Sequence, residues 1–342
     1  VRFVVDANPH AYRQDRFWEG VDILGLDDAD NETAEETLLA ICVGKSPYTQ
    51  VVAPLLKNGW VDIVPFYSIS AAYLDRHPLG NGWFTGDLSQ SDIAGIKSVL
   101  LGYADNISRA HHLQFLAWHR LHEEWFFDNA PVFTENRYFI PEVLSRLHDT
   151  EVFVDIGAHH GSVATEFLNI VNYQFKQIWA IEPDGDNLAK LHQCVSHYSP
   201  DVKKKVHILS CALGRENRPE QFYDGLDFAS QLCSFGRKTI DVRTLDTLDI
   251  SPTFVKVHLE GAEMDAVMGG AATIKKHHPM VALTVYHNRL GIWECPQTLM
   301  NEFSGQGYKY YFRLHSWHGT GAVLYLVQDR QKRQRSCDKV IF

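Results

Sequence analysis

Between Glu151 and Val327, apolar runs of strand length alternate with segments of helical period, and this alternation limits the fold more than any other feature of the chain. Strands are predicted at EVFVDIG, QIWAIEP, KVHILSCAL, FVKVHLE and MVALTVY. Helices are predicted from Val163 to Tyr173 and from Asp186 to His197. Strand, helix and strand in repetition call for an α/β fold with a mostly parallel sheet covered by helices. The last two runs, GYKYYFRL and GAVLYLV, are separated by a short polar stretch, which predicts an antiparallel hairpin closing that sheet.

The upstream residues read differently. RFVVDANP is a strand closing on a turn, TLLAICVG and VDIVPF are two more, and a helix runs between the last two from Pro47 to a stop at Gly59. This βαβ order predicts a small Rossmann-like sheet in residues 1 to about 85, incomplete because the chain opens with Val1 inside what reads as an interior strand. No glycine-rich turn is visible there, so a docking or scaffold role is preferred to a nucleotide site. Ile93, Ile96 and Leu100, then Ile107, Ala110, Leu113, Ala117 and Leu121, have helical spacing and predict a connector. Pro78, Gly80, Gly82 and Gly86 mark the boundary before it. The expected division is 1–87, 88–148 and 149–342. The connector holds His111, His112, His119 and His122, and the i, i+3 spacing of the last two can bind metal; without a carboxylate trio beside them the preferred reading is a packed or solvated helix face, and no metal is assigned.

A formal charge of −10 and a pI near 6.0 argue against a nucleic-acid or anionic-membrane partner, which needs a basic face. The basic runs Lys203 to Lys205 and Arg330 to Arg335 read as solvated surface. There is no apolar run of the roughly 18 residues that would span a bilayer, and no signal-peptide core. Six widely spaced cysteines, Cys42, Cys194, Cys211, Cys233, Cys295 and Cys337, with no Cys-x-x-Cys pair, fit a reducing cytoplasm. Oligomeric state is not readable.

The run Val152 to Ser162, VFVDIGAHHGS, is a buried strand that turns through Gly157 and Gly161 into a helix. Its Asp-x-Gly-x-x-x-Gly pattern is not the Gly-x-Gly-x-x-Gly that a pyrophosphate requires. S-adenosylmethionine has no pyrophosphate and is cationic at sulfur, so Asp155 just before the first glycine suits it. Glu182, closing the next strand about twenty residues on, is placed to accept hydrogen bonds from ribose hydroxyls. The third strand's end, Ser210 to Leu213, should flank an adenine. The candidate cofactor residues are therefore Asp155, Gly157, Ala158, His159, Gly161, Ser162, Glu182, Asp184, Cys211 and Ala212, with Glu260 from a later strand.

That later strand carries a resemblance. Phe254 to Glu263, FVKVHLEGAE, resembles the Lys-x-Asp-x-Glu-Gly-x-Glu signature of the FkbM family, with Lys256, Glu260, Gly261 and Glu263 matching. VDIGAHHG, the IEPD at Ile181 to Asp184, the TLDTL at Thr244 to Leu248 and the Tyr286-His287 pair support it, over about residues 138 to 327. A looser likeness extends to YADNISR at Tyr103 to Arg109 and YFIPEV at Tyr138 to Val143. The resemblance implies a class I methyltransferase fold, for which a closing hairpin is typical, and S-adenosylmethionine-dependent methylation of a hydroxyl on a sugar, glycan or natural product. Two departures stand out: the signature aspartate is His258, and acids that often follow the Tyr-His pair are Leu290 and Gly291.

Methyl transfer is an in-line displacement that needs an aligned oxygen and a base. The candidates near the fourth strand's end are His258 or His287 as base, with Glu260 organising the cofactor pocket. Trp293, Trp317, Tyr310 and Tyr311 can wall an acceptor, and His315 and His318 on the final hairpin's loop can line its mouth; core packing explains the aromatics equally well. An NAD-linked oxidoreductase and an inactive cofactor-binding scaffold are the rival readings, the first opposed by the missing third glycine.

Overall fold

The computed structural model describes residues 2–12, 18–28, 31–74 and 80–329. Val1, Pro78, Cys337 and the Arg330 to Arg335 run lie outside the described residues. Strands β1 (Phe3–Val5) and β2 (Asp22–Leu24) pair in parallel; helix α1 (Asn31–Glu36) follows. Strand β3 (Leu39–Ile41), helix α2 (Tyr48–Lys57) and strand β4 (Ile63–Pro65) then form the expected parallel βαβ unit, followed by helix α3 (Phe66–Ala72). Gly59, at φ +88°, ends the α2 segment in the left-handed conformation that favours glycine. Ala34, Ile41, Leu55 and Trp60 form one small core under Phe3, Val5 and Ile63. The two ladders share this core yet remain separate two-stranded sheets, where one sheet was expected. At three residues, β2 is too short to show a period.

Helices α4 (Gln90–Gly102) and α5 (Asn106–Leu121) make up the connector, with the short α6 (Pro141–Leu144) beyond. Ser89 and Asp92 form a reciprocal capping box on α4, and Asp105 caps α5. Further on come β5 (Val152–Ile156), α7 (Ser162–Ile170), β6 (Gln177–Ile181), α8 (Gly185–Ser196), β7 (Val206–Leu209), β8 (Ala212–Leu213), β9 (Arg218–Tyr223), β10 (Gln231–Leu232) and β11 (Lys238–Arg243). The chain continues through β12 (Phe254–Val257), β13 (Met280–Thr284), β14 (Tyr308–Leu314) and β15 (Ala322–Gln328).

The large sheet has seven strands in the order β14-β15-β13-β12-β5-β6-β7, parallel except where β15 meets its neighbours. Four of the five predicted strands, the first part of the remaining one and the closing hairpin belong to it. Its central strands β5, β12 and β13 are buried throughout, as a sheet covered on both faces requires. Alternate residues feed two cores: Val154, Ile156, Val255 and Leu283 on one side, Phe153, Phe254, Ala282 and Tyr325 on the other.

Helix α5 covers the edge strand β14. Ser108 Oγ accepts from the Phe312 amide at 3.0 Å and His111 Nδ1 from the Leu314 amide at 3.1 Å, so groups that would leave an open edge are satisfied. Arg313 lies 2.7 Å from Asp105, the N-cap of α5, and 2.8 Å from Glu142 of α6. His119 lies flat on Trp83 with its ring nitrogens 2.9 Å from the Trp83 and Gly319 carbonyls, while the exposed His122 closes the helix and stacks on Trp118.

One strand expectation needs correcting. KVHILSCAL is not a single strand: β7 ends at Leu209, and β8 joins a second sheet, β10-β9-β11-β8, that the sequence did not announce. No helix of the described residues is long and apolar enough to cross a membrane.

Candidate functional site

The turn after β5 runs through Gly157 at φ +73°, His159 at +51° and Gly161 at +87°. A Cβ on Gly157 would meet the His258 carbonyl oxygen at 2.0 Å, because the end of β12 passes directly over it. Gly157 and Ala158 both donate to the Ile181 carbonyl at 3.0 Å, which ties the turn to β6. Asp155 and Lys256 face each other across β5 and β12, fully buried, with Nζ 2.9 Å from Oδ1. Burial opposes the charge on Lys256, but Asp155 beside it prevails and holds the amine protonated. The same ammonium donates to the Gly157 carbonyl at 2.6 Å.

Glu182 leaves β6 with both carboxylate oxygens engaged by backbone, the His159 amide at 2.8 Å and the Asp184 amide at 3.0 Å. Burial raises its pKa against those bonds. Asp184 caps α8 through one oxygen, and its other oxygen accepts from the Gly225 amide and the Ser230 hydroxyl. Asp227, on the loop so anchored, lies 3.1 Å from His159, 2.9 Å from His160 and 3.3 Å from Lys190, fastening the loop across the turn.

These elements surround a cavity of about 330 Å³. Of the sequence candidates, Gly157, Ala158, His159, Ser162, Glu182, Ala212, His258 and Glu260 line it. Asp155 lies beneath it, Gly161 packs under Leu191 and Cys194 of α8, Asp184 anchors the loop, and Cys211 is core. Sequence reasoning missed Arg137, Tyr138, Glu166, Phe222, Asp227, Phe228 and Leu232, which also line it. The Asp224-Gly225 pair was the available signal for the loop, a turn between two runs of strand composition.

At the β12 side, the Glu260 backbone is left-handed at φ +51°. Glu260 Oε1 lies 3.2 Å from His258 Nε2 and 3.1 Å from His287 Nε2. Glu263, the second signature glutamate, closes the loop by accepting from the Leu259 and Gly261 amides and the Thr284 hydroxyl, and sits 2.5 Å from His287 Nδ1. Burial works against a charge on His287, but Glu260 and Glu263 outweigh it and push its pKa up to about 10. Burial brings His258 down to about 4 despite Glu260. Of the two histidines, then, His258 is the neutral one, and it faces the cavity while His287 lies behind it.

Trp293, Trp317, Tyr310, Tyr311, His315 and His318 do not line this cavity. Trp293 donates to Asp92, Tyr310 to the Leu299 carbonyl, and His318 stacks on Trp118.

The methyltransferase FkbM domain matches this chain over residues 155–310. No curated protein matches the sequence. Among solved structures, the chain is similar to a methyltransferase FkbM from Methylobacillus flagellatus KT, with 19% identity and a TM-score of 0.66, over 95% of this chain and 83% of that one. It is also similar to a precorrin-6y C5,15-methyltransferase from Geobacter metallireducens GS-15, with 15% identity and a TM-score of 0.31, over 57% of this chain and 91% of that one. An rRNA methylase from Streptococcus thermophilus is similar at 14% identity and a TM-score of 0.33, over 55% of this chain and 92% of that one.

Proposed function

We propose that this chain, whose residues 155–310 match the methyltransferase FkbM domain, is a methyltransferase acting on a hydroxyl of a sugar, glycan or natural-product-like small molecule, with S-adenosylmethionine as donor. The observation that carries the reading is one cavity with two kinds of lining. On the β6 and β7 side of the Gly157 turn lie Glu182 and Ala212; on the β12 side lie His258 and Glu260.

The residues fit that donor. Glu182 spends one acceptor site per oxygen on backbone amides and keeps others for ribose hydroxyls. Ala212, Phe222 and Leu232 offer an apolar slot for a flat base. The carboxylates of Glu166 and Glu260 favour a sulfonium, and the Arg137 guanidinium suits the methionine carboxylate. The donor supplies a methyl carbon already activated by positive sulfur. The protein's own task is to align the acceptor oxygen and receive its proton, which in the metal-free chain falls to the His258–Glu260 pair. The expected division belongs to the same proposal: residues 149–342 hold the chemistry, 88–148 brace them, and 1–87 act as a docking or scaffold unit.

Calorimetric titration with S-adenosylhomocysteine and with NAD tests the donor. Tight binding of the first alone is expected; tight binding of NAD alone overturns the reading. Mass detection of methyl transfer to a panel of hydroxylated sugars tests the acceptor class, and His258→Gln should abolish turnover while sparing S-adenosylhomocysteine affinity.

A further inference from the structure

Nε2 of His258 and Nε2 of His287 converge on a single atom, Glu260 Oε1, from two adjacent strand ends. The far side of each ring is held: the Tyr138 hydroxyl lies 2.8 Å from His258 Nδ1, and Glu263 Oε1 lies 2.5 Å from His287 Nδ1. Histidines that ligate metals are oriented in this way, one nitrogen fixed from behind so that the other is aimed at the ion. Buried His287 has no well-angled hydrogen bond at either nitrogen, although each is within ion-pairing distance of a carboxylate.

We propose that His258 Nε2, Glu260 Oε1 and His287 Nε2 form a site for a divalent first-row transition cation, held by two histidines and one carboxylate. With bonds of about 2.1 Å, ligand atoms between right-angled and tetrahedral placement sit about 3.0–3.4 Å apart. The observed 3.2 and 3.1 Å separations fall in that window, and all three ligand atoms lie within 4.8 Å of one another. Two imidazoles favour zinc, iron, cobalt or nickel over magnesium or calcium, which prefer oxygen. His258 and Glu260 face the cavity, so the ion's open positions look toward the acceptor.

A second cluster, His159, His160 and Asp227, is a poorer candidate. Lys190 Nζ already lies 3.3 Å from the same Asp227 oxygen, and a fixed ammonium repels a cation. The triad stands on its geometry. Its use rests on the function proposed above: an acceptor hydroxyl bound to the ion loses its proton more readily, and the ion then relieves His258 of the role of base.

The full chain, dialysed against chelator and then titrated with Co²⁺, gives the test by visible absorption and calorimetry. One equivalent should bind, and Mg²⁺ should not displace it. His258→Ala should abolish uptake, Glu263→Gln should weaken it about 10–100-fold, and His159→Ala should leave it intact, with folding followed by circular dichroism. Absence of uptake, or uptake that survives His258→Ala or is lost in His159→Ala, overturns the site and leaves a proton on His287 as all that holds the triad. S-adenosylhomocysteine binding measured on the same samples separates failure of the cation site from failure of the cofactor reading.

Discussion

Lys256 and Asp155 are the lysine that matches the family signature and the acid before the Gly157 turn, and the structure makes them one buried pair. At 2.9 Å and an effective dielectric near 20, their attraction is about 6 kcal/mol. Desolvation offsets much of that, so the pair itself is a weak source of net stability, whereas removing one partner leaves a charge with no water and no counterion. Both Asp155 oxygens are buried and take no other hydrogen bond among the described residues. Lys256→Met is therefore expected to cost about 3–5 kcal/mol. Asp155→Val should cost a similar amount by stranding the ammonium. Together the two should lose about 3 kcal/mol less than the sum of the singles, since the double variant strands neither charge. Urea unfolding of the four proteins at neutral pH closes the cycle. Strict additivity would refute the claim that these groups act as a pair. Because the ammonium also holds the Gly157 carbonyl, Lys256→Met should weaken S-adenosylhomocysteine binding even where the protein stays folded.

Three further expectations follow from the same geometry. His111 and His112 are buried and neutral, each brought down to about 4 chiefly by burial; an unfolded chain binds protons there near 6.5, so stability is lost as pH falls from about 6.5 toward 4, about 1.4 kcal/mol per histidine by pH 5.5. Urea midpoints at pH 7 and 5.5 measure this, and an equally steep fall in His112→Gln would count against it. Gly157→Ala forces a Cβ to within 2.0 Å of the His258 carbonyl at a left-handed φ, so calorimetry should find S-adenosylhomocysteine binding gone, and wild-type affinity would contradict the close approach. Glu182→Gln weakens the charge-assisted bond to the His159 amide and, on the proposed reading, those to a ribose, worth about 1.5–3 kcal/mol; about 10–100-fold weaker S-adenosylhomocysteine binding is expected, and an unchanged constant would remove Glu182 from the proposed cofactor site.

The large sheet was visible in the sequence because its strands are buried on both faces: VFVDI and MVALT have no polar alternation to confuse with a helix or a loop. The second sheet was hidden for the opposite reason. Its strand RPEQFY is half exposed, and the outer strands of that sheet, Gln231–Leu232 and Ala212–Leu213, are two residues each. The cavity wall built from Phe222 and Leu232 was lost with it. Arg137 and Tyr138 could not be placed because the segment leading into α6 meets the β12 end only through the tertiary fold. Asp155 shows the limit of motif reasoning from the other side: the residue type and position were read from the sequence, but the partner that neutralises it lies 101 residues away.

The departure at position 258 acquires a physical sense from its surroundings. Glu260 and Glu263 already place two carboxylates around His287. An aspartate at 258, as in the family signature, would put a third beside them, and closely spaced buried acids cannot all stay ionised. With His258 there, the group is two carboxylates and two imidazoles, which the proton on His287 brings close to balance and a divalent cation would neutralise. The substitution also exchanges an oxygen donor for a nitrogen one. A site that would prefer magnesium with an aspartate thereby turns toward softer ions, so His258→Asp should shift cation preference toward Mg²⁺ in the Co²⁺ titration, and an unaltered preference would show that residue 258 does not touch the ion.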